Sequence, residues 1–285
     1  MAILLFVFGV AVGSFLNVVS LRYRDDKFLL SQGVIGGRSR CPHCKTALGW
    51  FELIPLLSFL LQRGRCRSCG AKISFQYPLV EFLSGLIFVF VPSRLVSQGL
   101  VISSASHLLL STFWVLVFLT LLLISLIDLR LGIIPDEANV FLLFLGFLII
   151  LFTPPYFASG QGSFFGPYSP FFGSWGSIWP RHILAALLMG AFFGFLIYFT
   201  RGRGMGVGDL KLGIPLGFIF GWPDIVLIIC ASFIIGSLAG LYVIAFKNKS
   251  LKSSLPFGPF LAAAAAITFF FGYELINLYF RTFYL

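Results

Sequence analysis

Long stretches of this chain carry no charge on any face, and that feature limits its fold more than any other. The intervals 1 to 21, 95 to 127, 138 to 180, 182 to 200, 225 to 246 and 253 to 273 contain no Asp, Glu, Lys or Arg. Each is long enough to carry a helix across a hydrocarbon layer of about 30 Å. A core helix of a soluble domain is apolar along one stripe and polar along the other. Segments that are apolar all round need lipid as their solvent. With 59% hydrophobic and only 11% charged residues, 36 of them Phe among the apolar set, the composition excludes a soluble globular domain.

The pattern predicts an all-α polytopic membrane protein of about eight transmembrane helices, at about 1–21, 77–93, 105–127, 137–153, 182–200, 210–222, 224–246 and 256–279. The sixth is short and contains Pro215, so it reads as a thin or tilted span. Residues 1 to 21 run from Met1 straight into apolar sequence and end at Arg22 and Arg24, which reads as a retained anchor rather than a cleaved signal. The net charge of +10 invites a nucleic-acid reading, but the basic residues follow the positive-inside rule instead. With the N-terminus outside, Arg94, Arg181 and Arg281 fall outside and the rest of the 20 Lys and Arg fall inside. We therefore expect three parts: a first span at 1–22, a cytoplasmic four-cysteine domain at 23–76 and a membrane domain at 77–285. The uncharged connection 154–180, rich in Gly, Pro, Ser and aromatics, suits an outer loop near the headgroups. The run Ala262 to Ala266 reads as close helix packing.

Cys41 and Cys44 form one CxxC pair and Cys66 and Cys69 another, with 21 residues between the pairs. Two such knuckles supply the four thiolates of a tetrahedral structural zinc site. A domain of this size is too small to rely on its apolar core alone, and a reducing cytoplasm disfavours disulfides. Arg63, Arg65 and Arg67 flank the second knuckle without an accompanying aromatic platform, so they are expected to meet anionic lipid rather than nucleic acid. Cys230, in an apolar run, reads as a buried packing residue. His43, His107 and His182 form no ligand set.

With ten acidic residues in the chain, each one near the membrane can be weighed. Asp128 closes the third span and Asp209 opens the sixth, so both lie at one depth. Two such carboxylates can share a proton, one activating water while the other protonates a scissile carbonyl. Gly204, Gly206 and Gly208 leave the backbone bare before Asp209. The plain alternatives are an N-cap at Asp209 and a surface pair of Asp128 with Arg130. Asp136, after Ile134 and Pro135, reads as an N-cap, with Glu137 in the first turn. Glu81 could pair with a basic residue of the cysteine domain. Asp224 and Glu274 fall on the outer side and read as caps or snorkelling side chains.

Several stretches together resemble the type IV prepilin peptidases, membrane aspartic proteases of the GxGD type. They are GSFLNVVSLRYR at 13–24, the cysteine stretch at 39–81, Asp128 with Ile134, Pro135 and Asp136, GMGVGDLKL at 204–212, and LPFGPFLAAAAA at 255–266. The resemblance implies cleavage of the basic leader of prepilins and pseudopilins after a glycine, at the cytoplasmic face of the bacterial inner membrane. It implies Asp128 and Asp209 as the catalytic pair, supported by Gly206, Gly208, Lys211, Pro135 and Asp136. The four cysteines imply N-methylation of the new terminus with S-adenosylmethionine as well, although no glycine-rich nucleotide fingerprint marks a donor site. The competing reading is a proton-coupled transporter, or a scaffold with a zinc-bound adaptor domain. A transporter would be expected to hold carboxylates at mid-bilayer and to show repeated halves.

Overall fold

The computed structural model describes residues 1–285 apart from Lys27, 98–103, 154–162, 174–176, Arg203, 248–254 and 284–285. Among the described residues all regular elements are helical, accompanied by two isolated bridges, Arg40 with Ala47 and Arg65 with Lys72. Among the described residues six helices are long and apolar enough to cross a membrane. The fourth and sixth expected spans are present as shorter helices of 17 and 14 residues. The chain divides into two compact units, Met1–Ser97 and Gln98–Leu285.

In the first unit, α1 (Ala2–Arg22) packs against α4 (Gln76–Ser97). Small residues let the two backbones meet, as is usual where lipid offers no hydrophobic drive. A Cβ on Gly13 would lie 2.7 Å from the Ser84 Cβ and 2.8 Å from the Glu81 Cα. The Ser84 hydroxyl donates across the seam to the Gly9 carbonyl at 2.7 Å. Between these helices the chain forms α2 (Gln32–Ile35), a 3₁₀ turn at Trp50–Glu52 and α3 (Leu57–Leu61). Arg22 ends α1 and fastens the chain that follows by donating to the carbonyls of Gly36 and Arg38. Arg67 lies over the Phe51 ring, 4.8 Å from its centroid, so one of the knuckle arginines does have an aromatic partner.

Among the described residues the second unit bundles six α-helices: α5 (Ser104–Leu131), α6 (Asp136–Phe152), α7 (Ile178–Thr200), α8 (Val207–Phe220), α9 (Asp224–Lys247) and α10 (Gly258–Phe283). The short α8 is buried along most of its length and packs on α6 and α7 through glycines. A Cβ on Gly217 would sit 2.5 Å from the Ala185 carbonyl oxygen, and one on Gly213 would sit 2.8 Å from the Phe193 ring. Within α10, Ala264 and Ala265 are fully buried, in keeping with the expected close packing. An aromatic cluster fills one end of the bundle: the Trp114 ring meets Phe269 at 4.8 Å, Phe220 at 5.3 Å and Phe164 at 5.5 Å. Each such pair contributes about 0.5–1.5 kcal/mol beyond its area.

Three expectations are corrected in this unit. The described part of the connection expected at the headgroups, 163–173, turns inward: Ser163, Phe164, Phe165 and Ser169 are buried, and Phe164 plugs the aromatic cluster. Asp224 neither snorkels nor meets solvent. It is 0% exposed, accepts a 2.7 Å bond from the Ser163 hydroxyl and a 3.2 Å bond from the Phe164 amide, and so holds the plug in place. The third concerns Cys230, which is exposed on the bundle surface, where lipid would surround it, rather than buried.

Candidate active site

The end of the second unit opposite the aromatic plug gathers the charged motifs. Asp128 lies in the last turn of α5, 4% exposed. Its Oδ2 accepts the Gly258 amide at 3.0 Å. Gly258 is the first residue of α10, so that amide is one of the donors a helix start leaves without an intrahelical partner, and a carboxylate there also meets the positive end of the helix dipole. Only glycine fits this contact, because a Cβ would fall 2.7 Å from the Asp128 Oδ2. Sequence reasoning quoted Gly258 within a motif but gave it no role. The signal was present only as a glycine preceding an apolar run, and nothing in the chain order linked it to a residue 130 positions away.

Asp209 is the third residue of α8, 9% exposed. Its Oδ2 accepts the Gly206 amide at 3.2 Å, the reach-back of a capping box from inside the helix rather than an N-cap. Ile134 links the two carboxylates, since it lies against Gly208, next to Asp209, and against Gly258, which binds Asp128: a Cβ on Gly208 would lie 3.5 Å from it and one on Gly258 3.4 Å. A Cβ on Gly206 would meet nothing closer than 3.8 Å. The bare backbone there is not demanded by internal packing, which leaves it open to another chain.

Asp136 is the first residue of α6, with Pro135 in the capping position and no side-chain cap bond. Its carboxylate instead takes Lys211 of α8 in two bonds, at 2.7 and 2.9 Å. Both side chains are exposed, so the pair contributes at most about 1 kcal/mol. Its effect is to tie the helix carrying Asp209 to the helix that follows Asp128.

In the first unit the four cysteine sulfurs lie within 4.8 Å of one another, with Cys41 and Cys69 3.9 Å apart. A Zn–S bond of about 2.3 Å places tetrahedral sulfurs roughly 3.8 Å apart, so the set fits a four-thiolate metal site. The knuckles repeat one geometry. In the first, the Lys45 amide donates to the Cys41 carbonyl and the Cys41 amide to Thr46; in the second, Gly70 donates to Cys66 and Cys66 to Ala71. Lys45 and Gly70 both turn through positive φ, 60° and 69°. Hydrogen bonding to Thr46 pulls the Cys44 thiol down to about 6, and the Cys69 and Ser68 amides lower Cys66. At Cys69 the Ala71 amide lowers the thiol, but burial and the thiols of Cys66, Cys44 and Cys41 outweigh it and push Cys69 up to about 11. The four sulfurs therefore resist full ionisation without a cation among them, and a bound metal removes that resistance.

Glu81, expected to meet a basic side chain, instead accepts the Leu56 amide at 2.7 Å.

Residues 7–95 match the bacterial peptidase A24 N-terminal domain and residues 114–241 match the type IV leader peptidase family. The chain is 33% identical to a prepilin leader peptidase/N-methyltransferase of Aeromonas hydrophila, over 98% of this chain and 94% of that one. It is 30% identical to the protein of the same name in Bacillus subtilis, over 98% and 97%, and 32% identical to that of Burkholderia pseudomallei, over 93% and 84%. No solved structure matches the chain. One matched stretch contains the cysteine cluster and the other both aspartates, and with similarity running through nearly the whole length, this chain belongs to the type IV leader peptidase family.

Proposed function

We propose that the protein is a membrane aspartic endopeptidase that cleaves the leader of type IV prepilins and pseudopilins after a glycine, using Asp128 and Asp209 at the cytoplasmic face of the bacterial inner membrane. The observation that carries this reading is the placing of the two carboxylates: each is buried, each takes a helix-start amide, and Ile134 lies against the glycines beside both. In such a pair one proton is shared. The ionised carboxylate takes a proton from the attacking water, the protonated one donates to the scissile carbonyl oxygen, and the leaving amine then takes up a proton. The open backbone at Gly206 offers a path for the extended leader, while Gly208 lets Ile134 pack beside Asp209, and Lys211, Asp136 and Pro135 fix the starts of α8 and α6. The part 77–285 is then the protease domain, and 23–76 holds one structural zinc ion on Cys41, Cys44, Cys66 and Cys69. Four sulfur ligands leave no open position for water, so the zinc shapes the domain and does not hydrolyse the peptide. The relatives' shared name supports a second activity, methylation of the new N-terminal amine with S-adenosylmethionine.

The test is incubation of the purified protein with a prepilin peptide and the methyl donor, following both products by mass. A transporter or scaffold would give neither product. Gly258→Ala supplies a finer check. The added methyl displaces the Asp128 carboxylate by several tenths of an ångström or more, and misplacement of that order costs about a hundredfold in rate. We expect cleavage to fall by about that factor while the protein still inserts and keeps its metal; wild-type rates from the alanine variant would contradict the role given to Asp128.

A further inference from the structure

The fold gives the side chain of Asn139 no use for its amide. Asn139 is 6% exposed, and both its Oδ1 and its Nδ2 are buried without a hydrogen-bond partner. Among the described residues no other side chain has two buried atoms in that condition. Burying an unpaired amide destabilises a fold, so one kept in a native structure calls for a reason. Packing supplies none. The other buried positions of α6 are Ala138, Leu142, Leu145, Gly146, Ile149 and Ile150, and a leucine would fill the space of Asn139 without the unpaired atoms.

Its place in the fold does supply a reason. Asp128 stands three residues before the end of α5 and Asn139 three residues after the start of α6, and the turn at 132–135 joins the two helices. With a rise of about 1.5 Å per residue, the two side chains leave their helices at nearly one depth. Two contacts set α6 beside α8: Lys211 bonds Asp136 at 2.7 Å, and a Cβ on Gly146 would lie 2.9 Å from Ile219. Asn139 is two turns before Gly146 on the same face of α6, and the fully buried Leu212 is two turns before Ile219 on α8. Asn139 therefore faces the seam with α8 at the level of Leu212. Asp209 lies one turn closer to the helix start on that same stripe. Its Oδ2 holds the Gly206 amide, and among the described residues its Oδ1 has no hydrogen bond.

We infer that Asn139 is a positioning residue of the proteolytic site, its amide bonding the free oxygen of Asp209 once substrate is bound. The inference rests on the aspartic-protease reading above and adds a member to that site. Catalytic hydrogen bonds are often long in an empty enzyme and tighten in the complex with substrate. An amide suits this task because the protonation of Asp209 changes during the cycle. Its NH2 group donates to the ionised carboxylate, and its carbonyl, turned toward the same oxygen, accepts from the protonated form. A hydroxyl can also do both, whereas an aliphatic side chain can do neither. Asn139 itself forms and breaks no covalent bond; it holds the Asp209 carboxyl plane at the angle from which a proton is taken or given.

Steady-state cleavage of a prepilin peptide by the full chain in detergent, with thermal unfolding of the same samples, tests this. Asn139→Leu matches the side chain in size and removes both unpaired atoms, so it should raise the unfolding temperature by about 2 °C or more. The same variant should lower kcat about tenfold or more while KM stays within about twofold. Stability and rate then move in opposite directions, which a packing role would not produce. Asn139→Thr restores one donor and one acceptor and should recover most of the lost kcat. Thr268→Val is the comparison: it removes another unpaired buried hydroxyl, ten residues beyond Gly258 on α10, and should leave kcat unchanged. Wild-type kcat in Asn139→Leu would overturn the inference, whatever its stability. If Asn139→Leu is destabilised as well as slow, Asn139→Thr decides: a kcat well above that of the leucine variant supports the role, and an equal one overturns it. A loss of kcat in Thr268→Val as large as in Asn139→Leu would also overturn it. If wild type cuts no prepilin peptide, the protease reading itself fails, and the role of Asn139 with it.

Discussion

Changing either Asp128 or Asp209 to asparagine is expected to lower leader cleavage by at least about a thousandfold, and changing both is expected to cost little more. Asparagine keeps the size and the acceptor oxygen that each side chain offers to Gly258 or Gly206, so the helix starts should survive and the protein should still insert. What is lost is the shared proton, and either replacement removes it. Independent groups would instead multiply their losses in the double variant. Steady-state cleavage of a prepilin peptide by the two single variants and the double variant, each checked for retained metal, provides the measurement. Asp136→Asn serves as the comparison: its exposed bond to Lys211 contributes at most about 1 kcal/mol, so substantial cleavage should remain. An inactive Asp136 variant beside an Asp128 variant that cuts at near normal rate would show that the first catalytic aspartate has been misassigned.

Replacing Cys41 and Cys44 with serine should release the metal and unfold the stretch between α1 and α4, with methylation of a pre-cut peptide falling more than tenfold and cleavage falling less. The described stretch has little regular structure, two short helices and a 3₁₀ turn, and apparent zinc-binding energies of about 10–16 kcal/mol in small four-ligand domains exceed what so small a core supplies. Limited proteolysis should find new cuts within 28–75, and elemental analysis should find the metal gone. Cleavage lost with methylation preserved would reverse this division of labour.

The features readable from the chain were those whose physics is local. Charge-free length marked the membrane helices, CxxC spacing marked the sulfur cluster, and depth brought Asp128 and Asp209 to one end of the chain's helices. What escaped depended on packing between distant segments. Asp224 read as a cap or snorkelling side chain because it falls on the outer side; the inward turn of 163–165 meets it in the interior instead. Asp136 looked like an N-cap because it follows Pro135, but its partner lies 75 positions away on α8. Glu81 was expected to find a basic side chain, and no periodicity could indicate a backbone amide at Leu56. Gly258 escaped for the same reason: the requirement for glycine comes from a carboxylate on another helix, 130 positions away.

The shortness of α8 has a consequence for the chemistry. Fourteen residues rise only about 21 Å, well short of a hydrocarbon layer of about 30 Å. At the Phe220 end the deficit is made up by protein, since Phe164 and Trp114 close over it. At the Asp209 end Gly206 and Val207 are exposed and nothing comparable among the described residues closes over them. Because longer helices surround α8, its short length leaves a recess within the protein beside the two carboxylates. Peptide hydrolysis consumes water, and such a recess would admit it without a channel through the bundle.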